Sequence, residues 1–294
     1  MVLREARRGY GKIYPRRRSR IERARNFHPL LPISLIVMSL TFTSWLSGSF
    51  EILFPRECAV CTRPLRGRSL CYRCAPPQEN VTGPRCDACF EPIALHEAAR
   101  GSLCPACITF PPLPKRMRYL WEYSERARDL IRAMKYQPSI YLTRFCGERM
   151  REGAASLFGE CSWDLIVPIP SSPTMLRRRL FHPCYEMAKI IARQSSSMRI
   201  EAALSHNKRR NPQAGLSHIA RLKGLDSLFR VRKPSQLRGR RVLLVEDVIT
   251  TGATIAAATH ALHQAGAGEV DVLALAQARV WRRLRARVYR ALSD

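Results

Sequence analysis

The sequence predicts an α/β fold, a parallel sheet with helices on both faces, behind a small cysteine-rich N-terminal module. Three observations carry this. Val242–Val245 is an apolar run closed by two acids and a Thr/Gly loop, and the helical pattern Ile255–Ala265 follows it. From Arg118 onward apolar strand patterns alternate with helical ones, the order that gives a parallel sheet covered on both sides. Ahead of them, eight cysteines fall into four C-x-x-C pairs between Cys58 and Cys107.

A chain of 294 residues has room for one or two domains. A hydrophobic fraction of 46% is that of a globular protein with a sizeable core. The formal net charge of +27 attracts polyanions, nucleic acid or an anionic membrane surface, but fixes neither a fold nor a site. Residues 1–37 hold ten Lys/Arg against two Glu, and a second basic run, Arg279–Arg290, closes the chain. Either run reads equally well as a solvated tail.

Taken in chain order, residues 1–37 form a basic extension, Arg-rich and without apolar period to residue 28, which predicts disorder there. Pro29–Phe50 carries no charge over 22 residues, long enough to span a membrane. Pro32, Gly48 and many Ser/Thr dilute it, so a membrane segment is the weaker reading. The stronger one makes Met38 the true start and 1–37 an over-extended reading of the gene; the intact mass of the native protein decides. Residues 38–55 then form a short apolar helix leading to the first cysteine.

Residues 56–112 are the cysteine module, with Pro and Gly between the pairs and little periodicity, as where a metal replaces a core. Two residues between thiolates let both reach one tetrahedral zinc, and two such pairs close a four-cysteine site. Cys58, Cys61, Cys71, Cys74, Cys86, Cys89, Cys104 and Cys107 therefore predict two structural zinc ions. Sequential pairing closes the shorter loops; a cross-braced arrangement remains open. Reduced thiolates on zinc imply a reducing compartment, hence a cytoplasmic protein. Cys146, Cys161 and Cys184 read as buried apolar cysteines.

Residues 113–280 form the α/β domain, and 281–294 a basic tail. Arg118–Tyr123 predicts a strand and Glu125–Lys135 a helix with Leu130, Ile131 and Met134 on one face. Tyr141–Leu157 predicts a helix, Asp164–Pro170 a buried strand and Cys184–Gln194 a helix. Arg240–Val245 and Val270–Ala276 are two further strands, with a helix between them.

The chemistry concentrates after Val245. In an open α/β sheet ligands bind beyond the carboxyl ends of strands, and a helix N-terminus holds a phosphate there. Glu246 and Asp247 can hold the vicinal hydroxyls of a ribose, and the Thr250-Thr251-Gly252-Ala253-Thr254 loop its phosphate; the glycine lets backbone approach that group. A second loop, Pro170-Ser171-Ser172-Pro173, ends a strand beside Arg177, Arg178 and Arg179 and suits a pyrophosphate.

The acidic Thr/Gly segment resembles the 5-phosphoribosyl-1-diphosphate (PRPP) motif of type I phosphoribosyltransferases. In order, the paired C-x-x-C module, Leu130–Tyr136, Val167-Pro-Ile-Pro170, Asn211-Pro-Gln213-Ala-Gly215-Leu216 and the acidic motif resemble the competence-associated ComF family over roughly residues 45–278. The resemblance implies a zinc module joined to a phosphoribosyltransferase fold, Mg²⁺ with PRPP, Lys135 near the phosphate site, and Asn207–Arg221 as a mobile loop or hairpin over that site. It also implies a role in DNA uptake or processing, with single-stranded DNA or a helicase-like protein as partner.

Three departures stand out. Glu246 replaces the first of two aspartates. Arg179-Leu180-Phe181-His182-Pro183 replaces an Arg-Gly-Phe-Asn-Gln run. Thr250 stands where purine-salvage transferases carry an aspartate able to act as a base. The sequence identifies no general base; His182, His206 and His218 are candidates by proximity alone. Two readings stay open, an enzyme transferring the phosphoribosyl group to an unidentified nucleophile, and a non-catalytic binding module that uses the pocket as a sensor. Tyr119, Trp121, Tyr123 and Tyr136 serve the second by stacking bases, or else are buried strand aromatics.

Overall fold

The computed structural model describes residues 56–65, 70–76, 83–98, 102–109, 113–136, 140–159, 162–179, 181–207 and 228–278. The expectations for residues 1–55, for the loop beyond Asn207, for Cys161 and His218, and for the C-terminal tail lie outside them. Among the described residues no helix is long and apolar enough to cross a membrane.

Short elements frame the cysteines. The ribbon β1 (Arg56–Glu57) and β2 (Pro64–Leu65) flanks the first pair. The helices α1 (Leu95–Ala98) and α2 (Pro105–Thr109) accompany the last two pairs. The domain that follows has five parallel strands: β3 (Arg116–Glu122), β4 (Leu165–Pro168), β5 (Arg199–Ile200), β8 (Val242–Ile249) and β9 (Val270–Gln277). Their spatial order is β3-β9-β8-β4-β5. A separate hairpin pairs β6 (Leu204–His206) with β7 (Phe229–Val231).

The strand order decides where the helices go. From β3 the chain crosses to β4 through α3 (Glu125–Tyr136) and α4 (Ile140–Phe158). It continues in the same direction to β5 through α5 (Pro173–Arg179), α6 (Pro183–Ile191) and a 3₁₀ turn, Ala192–Gln194. From β8 it turns the other way, to β9, through α7 (Ala253–Gln264). Parallel crossovers are right-handed, so reversing direction puts the connecting helix on the opposite face. Two apolar clusters result. Leu243, Val245 and Leu273 pack with α3, α4 and α6, while Val242, Leu244 and Val272 pack with α7 and the β6–β7 hairpin.

The strand containing the two acids is longer than its sequence pattern predicts. It runs to Ile249, past Glu246 and Asp247. Pairing with β4 ends at Pro168↔Val245: Ile169 N still donates to Val245 O at 2.9 Å, but the next groups turn elsewhere, Asp247 N to Glu246 Oε1 and Ser171 N to His182 Nε2. Pairing with β9 continues to Ile249↔Gln277. The helix predicted over Cys184–Gln194 begins instead at Pro183, and its last three residues tighten into the 3₁₀ turn.

The cysteine segments are built into the same body. Met117 N donates to Ala88 O at 2.7 Å, so the second cysteine segment covers the free edge of β3. The buried Arg118 guanidinium donates to the carbonyls of Asp87 (2.9 Å) and Leu157 (3.2 Å). Phe90 lies in the α7-side core, edge-on to Tyr119 at 5.4 Å. In the first segment Cys58, Leu70 and Cys71 join the same apolar cluster as Ala133 and Met134 of α3.

Candidate functional site

The eight predicted ligands gather as two sets of four, Cys58/Cys61/Cys71/Cys74 and Cys86/Cys89/Cys104/Cys107, with the sulfurs of each set within 4.8 Å of one another. This is the sequential grouping. Cys61 Sγ lies 3.7 Å from Cys71 Sγ, and Cys89 Sγ 3.8 Å from Cys104 Sγ. Four sulfurs about 2.3 Å from a central ion stand roughly 3.8 Å apart, so both sets fit zinc without rearrangement. The backbone helps. Cys58 Sγ accepts from Cys71 N at 3.5 Å and Cys86 Sγ from Cys104 N at 3.3 Å.

The second candidate site lies where β4 and β8 part. Their connections leave in opposite directions, so a crevice opens between them at the carboxyl edge of the sheet, where open α/β sheets bind ligands. Glu246 and Asp247 stand there. The buried Glu246 carboxylate accepts from the Asp247 N–H at 2.9 Å. Lys135, at the end of α3, reaches Asp247 Oδ1 at 2.6 Å, with both side chains largely buried. The resemblance placed Lys135 near the phosphate; its partner in this structure is the acid pair.

Burial, and then the neighbouring Asp247 charge, push the Glu246 carboxyl up to about 8. Burial depresses the Lys135 ammonium, but attraction to Asp247 outweighs it and the net shift is upward. Cys184, at the start of α6, sits under the acids, its thiol 3.8 Å from Glu246 Oε1. Its burial, with Asp247 close by, holds it well above the usual thiol range. Nothing in its spacing separated Cys184 from an ordinary core cysteine; only the packing of α6 on β8 brings it here.

Two tests follow. Removing the Lys135 charge leaves Asp247 in a low dielectric without its cation. Lys135→Met is expected to cost roughly 2–4 kcal/mol in urea titration, and adding Asp247→Asn to recover part of it. For Glu246, the folded-state value lies above the ordinary one, so its contribution to stability is complete below the unfolded pKa and is lost as pH rises through about 8. Relative to Glu246→Gln, the native protein should therefore lose melting temperature as the pH is raised from about 5 to 8, with no further change above. Parallel curves for the two proteins would show that the carboxyl ionises normally.

The loop after β8 has the features a phosphate needs. Gly252 has φ 75°, left-handed backbone that costs glycine nothing, and it turns the strand into α7. No side chain caps the first turn of α7 from Gly252, and Thr251 Oγ1 lies 3.4 Å from Ala253 N. Thr250 and Thr254 are exposed, and Thr251 and Ala253 half-buried. The second loop leaves β4 on the same edge. Ser172 Oγ accepts from Met175 N at 3.3 Å and starts α5. Arg177 is exposed on that helix, and the side chains of Arg178 and Arg179 lie outside the described residues.

Two of the three histidine candidates brace this loop. His206 Nε2 is 3.0 Å from Pro170 O, a contact in which the ring must donate. His182 faces Ser171 N through Nε2 (3.1 Å) and Tyr185 N through Nδ1 (3.2 Å), and caps α6 ahead of Pro183. A neutral imidazole has one acceptor nitrogen, so only one of these is a full hydrogen bond.

Residues 182–290 match the phosphoribosyl transferase domain, and residues 49–108 the double zinc ribbon domain. The DNA utilization protein YhgH of Escherichia coli (strain K12) is 26% identical over 223 residues, which are 74% of this chain and 88% of the relative. Competence protein F of Haemophilus influenzae is 25% identical over 179 residues, 60% of this chain and 78% of the relative. Among solved structures, adenine phosphoribosyltransferase from Saccharomyces cerevisiae overlaps 52% of this chain and 77% of its own at 16% identity, with a TM-score of 0.34, too loose to assign residues. The parallel sheet and the two cysteine sets thus carry a phosphoribosyltransferase-like fold behind a double zinc ribbon that supports structural zinc.

Proposed function

The chain is a member of the ComF family, a double zinc ribbon ahead of a phosphoribosyltransferase domain, and on that premise we propose that it binds PRPP or a phosphoribosyl group between β4 and β8. The observation that carries this is the acid pair Glu246–Asp247 beside the glycine-turned start of α7. We assign residues 56–112 to the zinc module and 113–280 to the ligand-binding domain.

In this reading Glu246 and Asp247 hold the 2′ and 3′ hydroxyls. The loop Thr250–Thr254 holds the 5′-phosphate. Ser171, Ser172 and Arg177–Arg179 face the pyrophosphate. Lys135, already charged beside Asp247, offsets the negative charge gathered there. Mg²⁺, when bound with PRPP, would screen the pyrophosphate, since it binds substrate phosphates while keeping its waters. The decisive experiment is calorimetry of Mg–PRPP on zinc-loaded protein. Absence of binding at millimolar ligand removes the reading.

Pyrophosphate released with some acceptor would make the protein an enzyme. A second reading, a ligand-sensing module acting in DNA uptake or processing with single-stranded DNA or a helicase-like partner, draws on the names of the relatives. It also draws on aromatics left at the surface. Tyr123 and Tyr136 are exposed, whereas Tyr119 and Trp121 are buried and drop out. Binding to single-stranded DNA with a steep salt dependence, unchanged by loss of the acids, would favour it.

A further inference from the structure

The two cysteine sets bury their sulfurs unequally. In the second set all four residues are at most 5% exposed. In the first, Cys58 and Cys71 are buried, Cys74 is half-buried and Cys61 is exposed. A cavity of about 400 Å³ opens over Cys61 and Cys74, and its other walls are Val60, Asp129, Arg132, Ala133 and Tyr136. A small polar molecule can reach two of the four sulfurs of the first set and none of the second.

We propose that the first cluster is an oxidisable, zinc-releasing site for hydrogen peroxide, and that the second is a closed structural site. A zinc ion with four thiolates carries net charge −2 and keeps nucleophilic sulfur, and exposure then decides which sulfur reacts. Cys61 thiolate attacks the peroxide O–O bond, forming a sulfenic acid and expelling hydroxide into the cavity that Arg132 lines. Cys71 Sγ, 3.7 Å away, displaces the sulfenic oxygen to form a disulfide. Two electrons leave the paired thiolates, and with two protons the peroxide becomes two waters. Two further protons go to Cys58 and Cys74 as zinc leaves as Zn²⁺.

The consequence reaches the sheet. Cys58, Leu70 and Cys71 share an apolar cluster with Ala133 and Met134, which precede Lys135 on α3. Zinc loss therefore unpins the buried side of α3. Among the described residues, the buried residues of α7 belong to the other apolar cluster. The proposal stands independently of what the sheet binds.

The test uses the full chain loaded with two zinc ions and challenged with hydrogen peroxide in the presence of a zinc-sensitive dye. One equivalent should leave at least about tenfold faster than the other. Peptide mass spectrometry should find Cys61 and Cys71 joined while Cys86, Cys89, Cys104 and Cys107 stay reduced. Amide exchange should rise over Glu125–Tyr136 and not over Ala253–Gln264. Equal release rates, or a first disulfide in the second set, overturn the proposal. A footprint on the untreated protein tests it without oxidation: among the eight ligand cysteines iodoacetamide should label Cys61 and Cys74 before the other six, and any other order among them refutes it.

Discussion

Serine in place of both Cys86 and Cys104 is expected to leave the chain unfolded. The second cluster has almost no core of its own; among the described residues its apolar cluster adds only Ala88 and Ile93 to the buried cysteines. What it supplies lies outside it. Ala88 O accepts from the edge strand β3, Asp87 O accepts from buried Arg118, and Phe90 enters the α7-side core. The Arg118 guanidinium also stacks between Phe90 (4.9 Å) and Phe158 (5.5 Å). Without metal the loop cannot hold these groups, and Arg118 is left charged in an apolar site. A structural zinc site contributes roughly 10–16 kcal/mol of folding free energy, as much as a whole domain's net stability of about 5–15 kcal/mol. Zinc content should fall to one ion or fewer, and circular dichroism should show loss of the cooperative melt. A normal melt with one zinc would mean that the sheet stands without the second ribbon.

This dependence also separates what could be read in the sequence from what could not. The cysteine grouping was legible because loop length alone favours neighbouring pairs. The acids were legible because they close a four-residue apolar run. The true end of β8 was not, since it depends on which neighbour still offers hydrogen-bonding groups. On one side Asp247 N turns to Glu246 Oε1 and the ladder with β4 stops, while β9 continues on the other. The β6–β7 hairpin is only three residues a side and has no pattern long enough to reveal itself. Lys135 and Asp247 meet across 112 positions, and Cys184 and Glu246 across 62. Such pairs follow from the reversal of crossover direction between β4 and β8, which no local spacing records. His182 illustrates the same limit, since its value lies in Ser171, a residue of another loop.

Replacing Glu246 by Gln and Asp247 by Asn together should abolish measurable Mg–PRPP binding while leaving the fold intact. Amides keep the shape of the site and the hydrogen bond from the Asp247 backbone N–H does not depend on the side chain of that residue. They lose the charge that makes a hydroxyl–carboxylate bond strong. A hydrogen bond to a charged group contributes about 1.5–3 kcal/mol, so the Asp247 carboxylate alone accounts for roughly tenfold to a hundredfold in affinity, and Glu246, held toward its neutral form, adds a weaker bond of about 0.5–1.5 kcal/mol. The single variants should differ from each other. Asp247→Asn also strands the Lys135 ammonium, 2.6 Å away and largely buried, so it should lose stability as well as affinity. Glu246→Gln replaces a carboxyl that burial already holds toward its neutral form, so its cost should fall on affinity alone. Calorimetry with thermal melts on the three variants separates these outcomes. Undiminished binding in the double variant would move the ribose away from the end of β8, and with it the assignment of every residue placed around that ribose.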